Sequence, residues 1–418
     1  QAIHVADPEL SWAHCMLVLE RAKWGPTGTR NAMRICLVSE TWSPDINGVA
    51  HTLGRISREL LALGVTLQLV RPEPVDASAA KAEGMEHELR VRGMSMPRYK
   101  EVRIGWASVG TLKRLWQTTK PDAIYVATEG PLGWSALRAA EKLDIPVVSG
   151  WHTNFDHYCQ DYGVPWLAPL VRQRLRHFHN RCAATLVPTH QQARELATAG
   201  FERVSVMARG IEGDRFTPDK RSQELRDSWG VGQHQPVALY VGRLAPEKNL
   251  DLLRDTFLDM LEARPDMRLV VVGDGPGRAS LEKALPDAIF TGFIDSAQMQ
   301  THYASADIFV FPSLSETWGN VILEAMASGL AVVAFRHAAG AELISTDHDG
   351  VSIPPGDNQT FRQEAVALCQ QQARYARLGR AARERALAYR WPTIAQTFLD
   401  AHEHARHARG QLSNPAEA

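Results

Sequence analysis

Cysteine is sparse in this sequence. The five that occur, Cys15, Cys36, Cys159, Cys182 and Cys369, are scattered and form no C-x-x-C pair. That spacing disfavours a thiolate metal site and points to small buried side chains in a reducing cytoplasm. Long apolar runs are missing too: none approaches the ~20 residues that span a bilayer. The formal net charge is only −1 at pH 7, which argues against a nucleic-acid binder that works by counterion release. No G-x-G-x-x-G follows the first apolar run, so a dinucleotide-dependent oxidoreductase is disfavoured. Residues 1–32 lack the basic start, long apolar core and small-residue cleavage site of a signal peptide. They read as an atypical extension, and the fold is expected to begin at Met33.

What is present is alternation. Hydrophobic residues make up 44% and charged residues 22% of 418, an ordinary globular balance in a chain too long for one core. "MRICLVS" (33–39) is of strand length. Val49, Leu53, Ile56, Leu60 and Leu63 then form one apolar stripe of a helix that ends at Gly64. "TLQLV" (66–70), "AIYVA" (123–127), "IPVVS" (145–149) and "ATLVP" (184–188) continue as strands. After about residue 208 the pattern restarts with "PVALYVG", "RLVVVG", "AIFTG", "DIFVF" and "AVVAF", separated by helical segments such as 249–263 and 320–328. Two doubly wound α/β domains with mostly parallel sheets are the expectation. Their junction is placed near "ARGIEGDRF" (208–216), where Gly210 and Gly213 interrupt regular structure. The domains are read as 33–207 and 208–385, followed by a helical tail (386–418) interrupted at Trp391-Pro392.

Ligands of open α/β sheets sit beyond the carboxyl ends of the strands, and the unusual residues lie there. In "SLSETWGNVILEAMASG", Glu316 and Glu324 flank Gly319-Asn320, a helix start with Asn320 or Thr317 near its cap. Free N–H groups at such a terminus suit phosphate, and the two carboxylates suit hydroxyls on either side of it. A capping carboxylate plus a solvated helix glutamate is the plainer alternative. Arg243 and Lys248 in "YVGRLAPEKN" give a guanidinium fork and a point charge for a pyrophosphate; two solvated basic residues are the alternative. "VVVGDGPG" (270–277) is a strand-to-helix turn at the least. Gly48, in "SETWSPDINGVAHTL", permits close approach of backbone to a ligand. His152 follows a strand directly in "VSGWHTNFDHY", where an imidazole faces a cleft or serves only the fold.

Taken together, "ETWSPDINGV", "GWHTNFDHY", "HNRCAATLVPT", "ARGIEGDRF", "VGRLAPEKN", "VVGDGP", "FTGF" and "SETWGNVILEAMASG" resemble glycosyltransferase family 4. The likeness spans about residues 33–400 and is nearest to bacterial GDP-mannose-dependent α-mannosyltransferases and related glycolipid hexosyltransferases. It implies a GT-B fold of two facing Rossmann-like domains, with a C-terminal helix crossing back to the first, acceptor-side domain. It implies Glu316 on the donor hexose, Glu324 on the ribose, and Arg243 and Lys248 on the diphosphate. Backbone at Asn320, Val321 and Gly48 would assist there. His152 would face the transferred sugar, and Gly275, Thr291 and Gly292 would border the nucleoside. Trp318 stands where the family commonly has phenylalanine.

The implied reaction is retaining hexose transfer from a nucleotide diphosphate sugar, GDP-mannose favoured and a UDP-hexose as the other choice. No cofactor and no metal are called for, because side chains and a helix terminus stabilise the leaving group. The D-x-D of Asp347-His348-Asp349 reads as a surface turn. The acceptor is expected to be a lipid or glycolipid. Arg172, Arg174, Arg176 and Arg181, beside Trp166, Leu167, Leu170, Leu175 and Phe178, make 166–182 a basic amphipathic segment. It either rests on an anionic membrane or covers its own sheet. Segment 100–120 adds Trp106, Lys113, Arg114 and Trp116. The expected location is cytoplasmic, peripheral on the inner membrane face if that segment binds lipid. A sugar-nucleotide epimerase on the same fold and a non-catalytic sugar-nucleotide-binding scaffold are the competing readings.

Overall fold

A computed structural model describes residues 33–413 apart from 44, 46, 75–80, 97–98, 153–165, 167, 315 and 317. The N-terminal extension, Cys15, Cys159, Leu167, Thr317 and most of the segment after His152 lie outside the described residues.

Among the described residues fourteen strands form two sheets. The first contains β1 (Arg34–Val38), β2 (Thr66–Pro72), β3 (Met85–Met96), β4 (Tyr99–Trp106), β5 (Ala123–Val126), β6 (Val147–Gly150), β7 (Ala184–Val187) and β8 (Val204–Val206). Their order is β4-β3-β2-β1-β5-β6-β7-β8. All neighbours are parallel except the β3–β4 hairpin. The second sheet contains β9 (Val237–Val241), β10 (Arg268–Val272), β11 (Ile289–Gly292), β12 (Ile308–Phe311), β13 (Ala331–Phe335) and β14 (Val351–Ile353). It is wholly parallel, in the order β11-β10-β9-β12-β13-β14. Chain direction across each sheet therefore reverses once, between β1 and β5 in the first and between β9 and β12 in the second.

The central strands are buried on both faces, which is why they read as continuous apolar runs instead of alternating ones; β9 and β12 are buried throughout. Helix α1 (Gly48–Ala62) follows β1. Asn47, in extended conformation, caps it by accepting from Val49 N and Ala50 N at 3.1 and 2.9 Å. Leu53, Ile56 and Leu60 bury its inner face, and Gly64, at φ +81°, turns the chain into β2.

Strands β3, β4 and β8 alternate apolar with polar residues instead of forming continuous apolar runs, and were not expected. As a result the segment 100–120 divides into the end of β4 and a helix over Val109–Thr118. Trp116 on that helix is fully buried, whereas Trp106 is exposed, so Trp116 is core and offers nothing to a membrane. Helix α2 (Ala168–His179) buries Leu175 and Phe178 and exposes Leu170 at its start, next to an exposed Trp166 (74%). Arg174 stacks over the Trp134 ring at 4.9 Å, and Arg181 pairs with Glu141 at 2.5 Å. The segment thus covers its own sheet and still presents an apolar end. No helix among the described residues is long and apolar enough to cross a membrane. Cys36, Cys182 and Cys369 are buried, free thiols.

The chain crosses between the sheets twice, and the crossings run side by side. Ile211 N donates to Tyr389 O at 2.8 Å, and Ile211 bridges to Arg390. A Cβ at Gly210 would lie 2.4 Å from the Trp391 ring, and one at Gly213 would lie 2.6 Å from Leu387, so the two glycines permit this contact. A helix ends at Leu387 and α3 (Trp391–Ser413) begins beyond the break. Helix α3 returns to the first sheet, where Trp391, Ile394, Phe398 and Leu399 join Ile35, Leu37, Leu67 and Tyr125 in one buried cluster.

Candidate active site

Adjacent parallel strands deliver their following loops to one spot where chain direction reverses. The loops after β9 and β12 meet in this way. Lys248, in a 3₁₀ turn over Pro246–Lys248, forms an ion pair with Glu316, which also accepts from Ser313 Oγ at 2.9 Å. Asn249, left-handed at φ +57°, links the loops by donating to Pro312 O at 3.3 Å. Arg243 is not gathered in: its guanidinium is 67% exposed and pairs with Glu247.

Glu316 precedes the helix that the motif announces, α4 in the order used here (Asn320–Ala327). The expected cap differs. Gly319 is the N-cap, at φ +93° and with no side-chain cap, and Asn320 is the first helical residue. The terminal N–H groups are therefore left to other acceptors. Glu324 sits in the second turn with Tyr303 OH donating to it at 3.1 Å. Burial pushes its carboxyl up to about 7, against the lowering effect of that hydrogen bond. Val321 is half-buried beside it.

Gly275 receives a different explanation from the one expected. At φ +156°, a Cβ there would approach Leu244 O to 2.4 Å, while a Cβ at Gly273 would approach Gly242 O to 2.0 Å. These glycines let the turn after β10 pack on the loop carrying Arg243. Thr291 and Gly292 end β11, with Gly273 N donating to Gly292 O at 3.0 Å. The next residue, Phe293, is 81% exposed; nothing but its place after "TG" marked it in the sequence. The D-x-D is a turn in which Asp347 and His348 are at the surface, Asp347 paired with Arg374 at 2.5 Å. Asp349 is buried and accepts from Ser345 N at 2.7 Å.

The first sheet supplies the opposite wall. His152 follows β6, and its Nε2 lies 2.8 Å from the Tyr125 hydroxyl. Tyr125 is itself fully buried against Phe398 of α3 at 4.8 Å between ring centroids. Burial, and then the charge of Arg209, push the imidazole down to about 3, so it is neutral near pH 7. Gly48, the first residue of α1, has an ordinary φ, and a Cβ built on it meets no described residue within 4 Å. The space above it is open, as a ligand would need.

Between the walls lies a pocket lined by Thr52, Arg209, Glu212, Asn320 and Glu324, with Trp391 at its edge. Arg243, Lys248 and Glu316 lie outside its lining. Arg209 and Glu212 stand in the "ARGIEGDRF" segment, which the sequence marks as a junction and as part of the family resemblance without assigning either residue a role. Across the junction Arg55 of α1 pairs with Glu212 at 2.5 Å, and His190 pairs with Glu342 at 2.6 Å.

Two parallel α/β domains that turn their strand-end loops toward one cleft, with carboxylates and cations collected at the chain reversals, define a GT-B glycosyltransferase. Solved structures agree on the fold: the sucrose-phosphate synthase of Thermosynechococcus elongatus superposes with a TM-score of 0.70 at 18% identity, over 90% of this chain and 100% of that one. Residues 46–215 match the model of Glycosyltransferase Family 4, and residues 235–371 that of Glycosyl transferases group 1. A GDP-mannose-dependent alpha-mannosyltransferase of Mycobacterium tuberculosis (strain CDC 1551 / Oshkosh) is 32% identical over 380 residues, 90% of this chain and 98% of its own length. An alpha-monoglucosyldiacylglycerol synthase of Acholeplasma laidlawii is 27% identical over 72% of this chain and 80% of its own. The chain belongs to glycosyltransferase family 4, and it is a glycosyltransferase.

Proposed function

We propose that the enzyme transfers a hexose of the mannose or glucose type from a nucleotide diphosphate sugar, GDP-mannose first, to a lipid or glycolipid acceptor with retention of configuration. The observation that carries this reading is the Lys248–Glu316 pair held where β9 and β12 diverge, beside the uncapped N-terminus of α4. A donor arriving there separates the pair: the ammonium turns to the diphosphate and the carboxylate to hexose hydroxyls. The acceptor oxygen forms its bond to the anomeric carbon on the face from which the phosphate oxygen departs. The departing phosphate oxygen takes the acceptor proton. Lys248, Arg243 and the α4 terminus stabilise the charge that develops on it. His152, neutral, meets the sugar as a hydrogen-bonding group and not as a cation. The relatives named above favour GDP-mannose and a diacylglycerol-type acceptor.

No cofactor and no metal are part of this reading, since side chains offset the diphosphate. Peripheral membrane contact through 166–182 is part of it, supported by the exposed Trp166 and Leu170 at the start of α2. The deciding experiment is a panel of nucleotide sugars with and without lipid acceptors, run with chelator and with anionic vesicles. Product only with GDP-mannose or another hexose donor plus lipid, undiminished by chelator, is the expected result. Donor conversion without acceptor would point to an epimerase, and binding without turnover to a scaffold. Activity lost in chelator and restored by a divalent ion would overturn the leaving-group chemistry. Protein left in the supernatant of low-salt vesicles would return α2 to a purely structural role.

A further inference from the structure

Arg209 is a charge without a counter-charge. Its side chain is nine-tenths buried (9% exposed) at the crossing between the domains. Nη1 donates to Gly48 O at 3.2 Å and to Thr52 Oγ1, one turn apart at the start of α1. The guanidinium makes no ion pair with a described carboxylate, and Nε and Nη2 make no hydrogen bond with any described residue. The acids nearest to hand are otherwise engaged. Glu212 is held by Arg55 and Arg215 at 2.5 and 2.9 Å, and Glu324 accepts from Tyr303. A guanidinium cannot shed its proton to escape burial, and a buried ion without a partner is strongly unfavourable.

Its surroundings favour one kind of partner. Arg209 lines the pocket that also receives Asn320, the first residue of α4, and His51 and Thr52, in the first two turns of α1. Two helix N-termini, from opposite domains, thus face the space beside it, and both favour negative charge. Open room above Gly48 adds to that space.

We infer that Arg209 is an anion-binding residue of the cleft and takes the diphosphate of the donor from the first-domain side, opposite Lys248. The inference rests on the donor reading above. It gives the first domain a charged hold on the donor, so that the diphosphate ties the two domains together. The same guanidinium would also suit an anionic acceptor headgroup, so the test omits acceptor.

Calorimetry on the full chain with GDP, UDP and ADP, and with the matching nucleosides, measures the contact. Arg209→Gln keeps a donor for Gly48 O and removes the charge; Arg209→Lys restores charge without the fork; Thr52→Val removes one arm of the brace to α1. Arg209→Gln is expected to weaken the bound diphosphate by at least tenfold and leave its nucleoside unchanged. Arg209→Lys should recover part of the loss, and Thr52→Val should lose less than threefold. Without ligand, Arg209→Gln should unfold at the wild-type temperature or above it, because a buried unpaired charge is gone. Wild-type affinity in Arg209→Gln overturns the inference and leaves the donor reading intact; it also makes an anionic acceptor the better partner. Full loss in Thr52→Val, or a lowered unfolding temperature in Arg209→Gln, reduces Arg209 to a brace. Failure of the wild type to bind any nucleoside diphosphate removes the donor reading itself.

Discussion

On the second-domain wall of the cleft the charged groups already hold one another. Lys248 pairs with Glu316, Arg243 with Glu247, and Glu324 takes the Tyr303 hydroxyl. On the first-domain wall Arg55 is paired with Glu212, but His152 is neutral and Arg209 has only a carbonyl and a hydroxyl. The difference separates two ways of keeping a polar site in a fold without ligand. Paired charges are stable at rest and must be parted by substrate, which favours discrimination, since a ligand lacking either the phosphate or the hydroxyls leaves one group alone. An isolated buried charge is unstable at rest, and its cost is returned when the anion arrives.

The sharpest way to break this comparison is Glu316→Gln. Turnover should fall by at least ~100-fold, because hydrogen bonds from a carboxylate to donor hydroxyls strengthen as positive charge develops on the sugar. Nucleoside diphosphate affinity should be retained, since Lys248 loses a competitor for its charge. Near-normal kcat in a folded variant would remove Glu316 from the reaction. Next comes Lys248→Ala, which should weaken the diphosphate by ~1.5–3 kcal/mol, or roughly 10- to 150-fold, with the free nucleoside unaffected. Arg243→Ala should cost less, about 1 kcal/mol or under, because its exposed pair with Glu247 is a solvent-screened one. Calorimetric losses in the reverse order would mean that the loop after β9 rearranges on binding.

Glu324→Gln tests the wall at rest. Burial holds the native carboxyl at about 7 against an ordinary 4.5. Its stabilisation is thus complete below about 4.5 and is lost as pH rises through about 7. The amide has no such dependence, so the variant should melt above wild type at pH 8 and by a smaller margin at pH 5. A margin of ~2–4 °C corresponds to each kcal/mol recovered; an equal margin at both values would mean that Glu324 does not titrate in this window. The smallest effect belongs to the His190–Glu342 contact. The hydrogen bond to Glu342 raises the His190 value, so the contribution is full below 6.5 and fades as pH climbs past the raised value. Glu342→Gln should therefore cost under ~1 kcal/mol at pH 6 and still less at pH 9.

Much of the second-domain wall was legible because chemistry there is written locally. Glu316, Gly319 and Glu324 fall within one motif, and Lys248 follows a strand that announces itself as an unbroken apolar run. His152 was singled out by the same rule, and it lies just after β6. Arg209 was not, since its burial and lack of an acid depend on α1, β5 and the domain crossing, brought together from Gly48, Tyr125 and residue 209. Gly275 shows how a local pattern serves packing: the glycine-rich turn after β10 is needed for its backbone to lie against Leu244. Strands β3 and β4 escaped because their apolar residues alternate with Glu, His and Arg and form no continuous run like those of the central strands.

The return of α3 has a consequence for synthesis. Phe398 packs on Tyr125, and Ile394 and Leu399 fill the same face of a sheet whose strands end by residue 206. Each such side chain contributes ~1.5–3 kcal/mol when buried, so that face stays open until residues 391–399 have left the ribosome. The second domain, whose cluster draws only on residues 208–389, needs no later segment. The part of the protein translated first is thus the part finished last. Its exposed apolar face through that interval, about 10–40 s at ordinary translation rates, is where a chaperone would act and where a premature stop before Trp391 would lead to aggregation.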